Sequence, residues 1–222
     1  MQPILNAADA LWQGFLSDDA WMISQAMSDQ ALYWIVAILI LPLSALVLLV
    51  FRYVPFLDRN LERWVMIVAY SLIGTIIFVE VIRRFAFNVQ SAWSTTLPPM
   101  LFLIMTWVGC SYNVRLRSHL SFSEFRTNFP PLGQLACSLL DTVLWYVFGV
   151  IVIVATMRQT ALSASNFQML QGTDDVMLWW FYIVIPVAWL ILCARVLENT
   201  IGDIARYRAN QPVFVPSASL GD

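Results

Sequence analysis

The sequence has no lysine and only one histidine, His119, and its three cysteines stand apart from one another inside apolar blocks. One histidine cannot supply the two axial imidazoles that a small quinone-linked membrane cytochrome needs. No cofactor is therefore expected. Cys110, Cys137 and Cys193 are odd in number and dispersed, which argues against disulfides, metal sites and thiol chemistry and leaves them as small packing residues. No G-x-S-x-G element occurs, and His119 lies outside the apolar runs, so a serine nucleophile within a membrane would have no base. Charge is scarce as well, at 12% of residues where soluble proteins carry about a quarter. Residues 1–30 contain no basic residue but four aspartates (Asp9, Asp18, Asp19 and Asp29), a pattern that does not fit a signal peptide. All twelve basic residues are arginines, which suit lipid headgroups and buried ion pairs, and nucleic acid is not an expected partner.

What the chain has instead is apolar residues, 60% of the total, in long blocks, so its solvent is lipid. The blocks predict an all-α integral membrane protein with five spans: Leu32–Phe51, Trp64–Ile82, Pro98–Val114, Leu132–Met157 and Val176–Ala194. Pro42 is expected to kink the first. Pro98 and Pro99 suit the first turn of the third, where no amide donor is needed, and Pro186 falls inside the last. The segment RYVPFLDRNLER reads as a polar connector. Asp174 and Asp175 stand just before the last span, where the helix dipole favours negative charge. Ahead of the spans, Ile4, Ala8, Leu11, Trp12 and Phe15 recur at helical spacing and predict a short helix on the membrane surface. Between the third and fourth spans, Ser121 and Glu124 form a capping box for an interfacial arm bearing Phe122, Phe125 and Phe129. Four regions follow: a leader (1–30), an extra span with its connector (31–61), a four-span domain (62–199) and a tail (200–222).

Arginine counting sets the orientation. Nine arginines fall on the face that holds the C-terminus and three (Arg83, Arg84 and Arg158) on the other, placing the C-terminus in the cytoplasm and the acidic leader in the periplasm. Two acids lie within or near the spans. Asp141 is about nine residues into the fourth, where a carboxylate is costly. It is read either as hydrogen-bonding a neighbouring helix or partner near Ser138 and Thr142, or as a proton-coupling group. Glu80 has Arg83 and Arg84 three and four residues on, an interfacial ion pair. No inverted repeat is visible, and the chain contains no convincing reaction centre.

The stretch Arg83–Leu120 carries the most specific pattern: Arg84-Phe85-Ala86-Phe87-Asn88, then Trp93, Gly109 sixteen residues later, and Arg115, Arg117, His119 and Leu120 beyond it. Over roughly Glu62–Asn199 this resembles the small membrane subunit of tripartite ATP-independent periplasmic (TRAP) transporters, the DctQ-like family. Two positions depart from the family pattern, Thr96 where glutamate is common and Phe85 where tyrosine is common. The resemblance implies a non-enzymatic small permease of the bacterial inner membrane. A larger membrane subunit would carry an organic acid with a sodium gradient by an elevator motion, and a periplasmic binding protein would deliver it. The small subunit would brace the first and help dock the second, holding no substrate itself.

On that reading the residues expected at partner or lipid contacts are Arg83, Arg84, Phe87, Trp93, Gly109, Arg115, Arg117, His119 and Asp141. Trp93 is either a partner contact at the rim or a belt anchor. Gly109 would permit close helix packing, and the arginines would meet phospholipid headgroups. A structural subunit of another membrane complex, or a stand-alone ion-coupled transporter, are the alternatives.

Overall fold

The computed structural model describes residues 2–17, 19–117 and 129–213. The capping box at Ser121 and Glu124, the arm with Phe122 and Phe125, and His119 lie outside the described residues. Among the described residues the fold is helical apart from its connecting turns. A leader pair, α1 (Gln2–Ser17) and α2 (Ala20–Met27), precedes α3 (Ala31–Tyr53), α4 (Pro55–Phe87), α5 (Trp93–Leu116), α6 (Pro131–Ser165), the single turn α7 (Trp179–Tyr182) and α8 (Val184–Arg208). Among the described residues, five helical segments are long and apolar enough to cross a membrane, α7 and α8 counting as one.

The leader forms the expected helix, and its wide apolar side is left outward. Trp12, Phe15 and Leu16 are exposed, whereas Ala7 is buried and Leu11 packs on the core. Asp19 caps α2 by accepting from the amides of Trp21 and Met22, the standard solution for the orphan donors of a helix start. Arg158 of α6 then fastens the leader. Its Nε and Nη2 donate to the carbonyls of Met27 (2.7 Å) and Asp29 (2.8 Å), and its guanidinium lies 5.0 Å from the centroid of Tyr33.

The spans run longer than their apolar blocks. The segment read as a polar connector is helical from Pro55, whose missing amide costs nothing at a helix start. At 33 residues α4 is about 50 Å long, against about 30 Å of hydrocarbon, so its first turns continue past the apolar stretch with Asp58 and Glu62 on them. Asn88 closes the helix in the left-handed region (φ 53°), a conformation asparagine tolerates well.

The prolines behave differently from expectation at two places. Helix α5 starts at Trp93, so Pro98 and Pro99 lie inside it and not in its first turn; the hydroxyls of Ser94, Thr95 and Thr96 bond carbonyls three residues back there. The last long helix starts at Val184, which puts Pro186 in its first turn. A proline at 186 offers no amide to the carbonyl of Tyr182, and the α7/α8 break falls there. Asp174 and Asp175 are consequently not beside a helix start: they sit in the turns before α7, whose cap residue Leu178 supplies no side-chain bond.

Helix α8 is the centre of the bundle. Half of the apolar stretch that α7 and α8 form together is buried, against 6% for α4. Helix α8 packs on α6, α5 and α3, whereas α4 leans mainly on α5. Trp189, Leu192 and Cys193 of α8 meet Ile40 of α3 and Val154 of α6 in the core. Trp107, Trp145 and Phe148 surround Trp189 with ring centroids 5.3–6.1 Å away. Gly149 makes the approach of α6 possible, because a Cβ there would meet Cys193 Sγ at 3.0 Å and Ile40 at 3.4 Å.

Candidate functional site

The residues with the most constrained chemistry gather at the end of the bundle that holds the starts of α4 and α6 and the finish of α8. Arg195 is 1% exposed, and its guanidinium serves three carboxylates. Nε donates to Glu62 Oε1 at 3.0 Å, and Nη1 donates to Asp58 Oδ1 at 2.5 Å and to Glu198 Oε2 at 3.0 Å. Nη2 reaches the Asp58 carbonyl at 3.0 Å. The ring of Phe51 covers the flat of the guanidinium at 4.4 Å, a cation–π contact from α3. Glu62, also 1% exposed, accepts further from Ser111 Oγ at 2.8 Å.

Arg115 completes this group. It donates to the carbonyl of Asp58, pairs with Asp58 Oδ2 at 3.1 Å and lies 3.7 Å from Glu62 Oε2. Three carboxylates thus share two guanidiniums, joining α4, α5 and α8 with Phe51 of α3 against them. Such a cluster depends most on Arg195 and Glu62, because these two charges have left water and rely on their neighbours.

A second group lies beside it. Arg117, in the left-handed region at the end of α5, donates from Nη2 to the Asn199 carbonyl (3.0 Å) and pairs with Asp203 Oδ1 at 2.7 Å. Ser138 donates to Asp203 Oδ2 at 2.6 Å, and the hydroxyls of Thr142 and Thr200 meet at 2.7 Å, tying α6 to α8. Ser138 and Thr142 were expected near the Asp141 interaction; their bonds go to Asp203 and Thr200, while Asp141 is half-buried with an interaction of its own.

The opposite end holds the other sequence candidates. Glu80 and Arg83 pair at 3.8 Å as the spacing predicts, and both hold Ser91: Arg83 Nη1 donates to its hydroxyl at 2.6 Å and its amide donates to Glu80 at 2.9 Å. Arg84, Phe87 and Trp93 are exposed around this loop. A turn from residues 166 to 178 docks on it. Gly172 (φ 82°) lies so close that a Cβ would come within 2.6 Å of Ala92, and Thr96 donates to the Gln171 carbonyl at 2.8 Å. Thr96, standing where the DctQ-like pattern commonly has glutamate, therefore anchors this turn. Gly109 lies on α5 facing Met66 of α4, 3.3 Å from where its Cβ would be.

The sequence candidates are thus divided between the two ends of the bundle. Arg115 and Arg117 both lie at the end of α5, where they pair with α4 and α8 respectively; Arg83, Arg84, Phe87 and Trp93 lie around the far loop. Asp58, Glu62, Arg195 and Asp203 were missed as site residues. One signal for Arg195 was present: it follows Cys193-Ala194 without a break in the apolar block, where an unpaired arginine would not be stable.

Nothing in this arrangement brings a nucleophile to a base. Arginine and carboxylate are used against each other, and the geometry they produce is a fixed relation between helices. The molecule is thus a multi-pass membrane protein whose polar chemistry is given to holding its helices in register. It belongs to the DctQ component family of tripartite ATP-independent periplasmic transporters, whose family model matches residues 73–206, from within α4 to the last turn of α8. It is similar to the sialic acid TRAP transporter small permease protein SiaQ of Vibrio cholerae, with 24% identity over 64% of this chain and 80% of the relative. It is also similar to a putative TRAP transporter small permease protein of Haemophilus influenzae, with 20% identity over 67% of this chain and 90% of the relative. The chain is thus a small permease subunit of the TRAP type, and its partners are other subunits of such a transporter. The leader and α3 precede the matched region.

Proposed function

We propose that the chain is the stationary brace of a TRAP transporter in the bacterial inner membrane. The arginine-rich end would lie in the cytoplasm and the leader in the periplasm. A larger membrane subunit would move an organic acid, a carboxylate or sulfonate, together with sodium, and a soluble periplasmic protein would deliver the substrate. The observation that supports this best is the cluster of Arg195 with Asp58, Glu62 and Arg115. It locks α4, α5 and α8 at one end, while α4 keeps most of its apolar surface outward. A part that must not yield when its neighbour moves needs this rigidity, and the outward face of α4 offers area for that neighbour. Phe87, Trp93 and Arg84 would meet the delivering protein at the periplasmic rim, and exposed arginines at the other end would contact phospholipid headgroups.

Affinity purification of the tagged full chain from its native membrane tests the reading. A stoichiometric, much larger membrane protein should accompany it, and reconstituted uptake should require that protein, a sodium gradient and a periplasmic binding protein. Uptake by the chain alone in liposomes would overturn it.

A further inference from the structure

At the arginine-rich end, the pairing of guanidiniums is uneven. Arg115, Arg117 and Arg195 are all turned onto carboxylates inside the bundle. Arg59 and Arg63, on the first turns of α4, are exposed and join none of the ion pairs among the described residues. They are one helical turn apart, and Ile67 and Tyr70 follow Arg63 at i+4 and i+7, so all four share a face of α4.

That face runs into a groove between α4 and α5. Its volume is ≈ 550 Å³, and its walls are Met66, Ile67 and Tyr70 on one side and Met105, Gly109 and Cys110 on the other. The absence of a side chain at Gly109 shapes it: α5 can approach Met66 there without filling the space between the helices. From Met105 to Asn113 the α5 wall is about 12 Å long, about half the reach of a C16 acyl chain.

A slot of apolar walls within the span, opening one turn below two exposed cations, has the form of an amphiphile with a negative head. Because helical side chains tilt toward the N-terminus, Arg59 and Arg63 lean away from the groove and toward the headgroup layer. We propose that the α4–α5 groove is a binding site for an anionic phospholipid, its phosphate held by Arg59 and Arg63 and one acyl chain lying along Met66, Ile67 and Gly109. A polypeptide helix would also find apolar contact in the groove, but would leave the two arginines unanswered. The proposal rests on the reading above that this end lies in a headgroup layer; it does not depend on the identity of the transporter's other subunits.

Native mass spectrometry of the full chain in detergent, loaded with equal amounts of phosphatidylglycerol and phosphatidylcholine of identical acyl composition, tests it. The wild type should retain phosphatidylglycerol over phosphatidylcholine by about tenfold or more, since each of the two arginines near an anionic headgroup adds roughly fivefold. Arg59→Gln with Arg63→Gln should bring the ratio near one. Thr106→Trp, which fills the groove from its exposed lip, should lower retention of both lipids. Equal retention in the wild type, or a preference that survives the double substitution, would overturn the proposal. So would a Thr106→Trp chain that keeps its lipid but loses a co-purifying membrane subunit, because the groove would then seat a protein helix. The lipid measurement uses the chain without partners, so its failure is separable from failure to co-purify a large subunit. If Thr106→Trp does not fold, the surface arginine pair still decides the matter.

Discussion

Arg195 and Glu62 are 133 residues apart in the chain and 3.0 Å apart in the fold, each 1% exposed. Each is the other's closest charged partner at that buried position, so the pair fixes the depth of α8 against α4 to within a hydrogen bond. Coulomb attraction is strong where water is excluded, but it must first offset the removal of both ions from water. The pair therefore contributes more to the uniqueness of the packing than to its total stability.

The first prediction follows from this asymmetry. Arg195→Met should destabilise the chain by about 3–5 kcal/mol, because buried Glu62 loses its nearest cation and keeps only Arg115 at 3.7 Å. Adding Glu62→Leu should recover part of the loss, although Asp58 stays unpaired by Arg195. A double-mutant cycle read by denaturation in detergent measures the coupling. Strict additivity of the two substitutions would show that the pair is not formed.

At the other end, Gly172→Ala should be harmful for two separate reasons. Its φ of 82° is strained for any side chain, and the new methyl would come within 2.6 Å of Ala92. The expected loss is at least about 1 kcal/mol, the lower bound for an alanine forced to positive φ. Amide exchange should rise at residues 88–96 and 166–178 together, since the two segments hold each other through Thr96 and Gln171.

Arg158→Gln removes both bonds to the carbonyls of Met27 and Asp29. A charged hydrogen bond is worth about 1.5–3 kcal/mol when the acceptor is not otherwise solvated. The leader should therefore loosen while α4, α5 and α8 keep their protection. Limited proteolysis within residues 1–29, with the remaining chain intact, would report that split.

Asp141 separates a brace from a carrier. Asp141→Asn should leave the sodium dependence of uptake by the reconstituted transporter unchanged, and any effect should be on yield or thermal stability. A shift in the ion dependence of transport would assign this carboxylate to coupling.

Long apolar runs made the five crossings legible, because lipid admits little but helices there and the runs are too long to mistake. The leader helix was legible from the helical spacing of Ile4, Ala8, Leu11, Trp12 and Phe15, and the Glu80–Arg83 pair followed from its spacing alone. Helix ends were read less well. The segment around Asp58 looked like a connector because charge in a sequence suggests water, and only the fold shows that Asp58 and Glu62 face Arg195 and Arg115.

The sequence by itself determined that this protein lies in a membrane as a bundle of helices, and its arginine and glycine spacings carried the family. Each of those follows from local composition or short-range pattern. Which charges are paired, which glycine admits a neighbour and which arginines stay exposed were decided by the tertiary structure. Arg63 and Arg195 are the same residue type on spans of similar apolarity, and one is exposed while the other is enclosed by three carboxylates. That difference depends on the rotation of α4 and α8 about their axes, which is set by packing between segments more than a hundred residues apart.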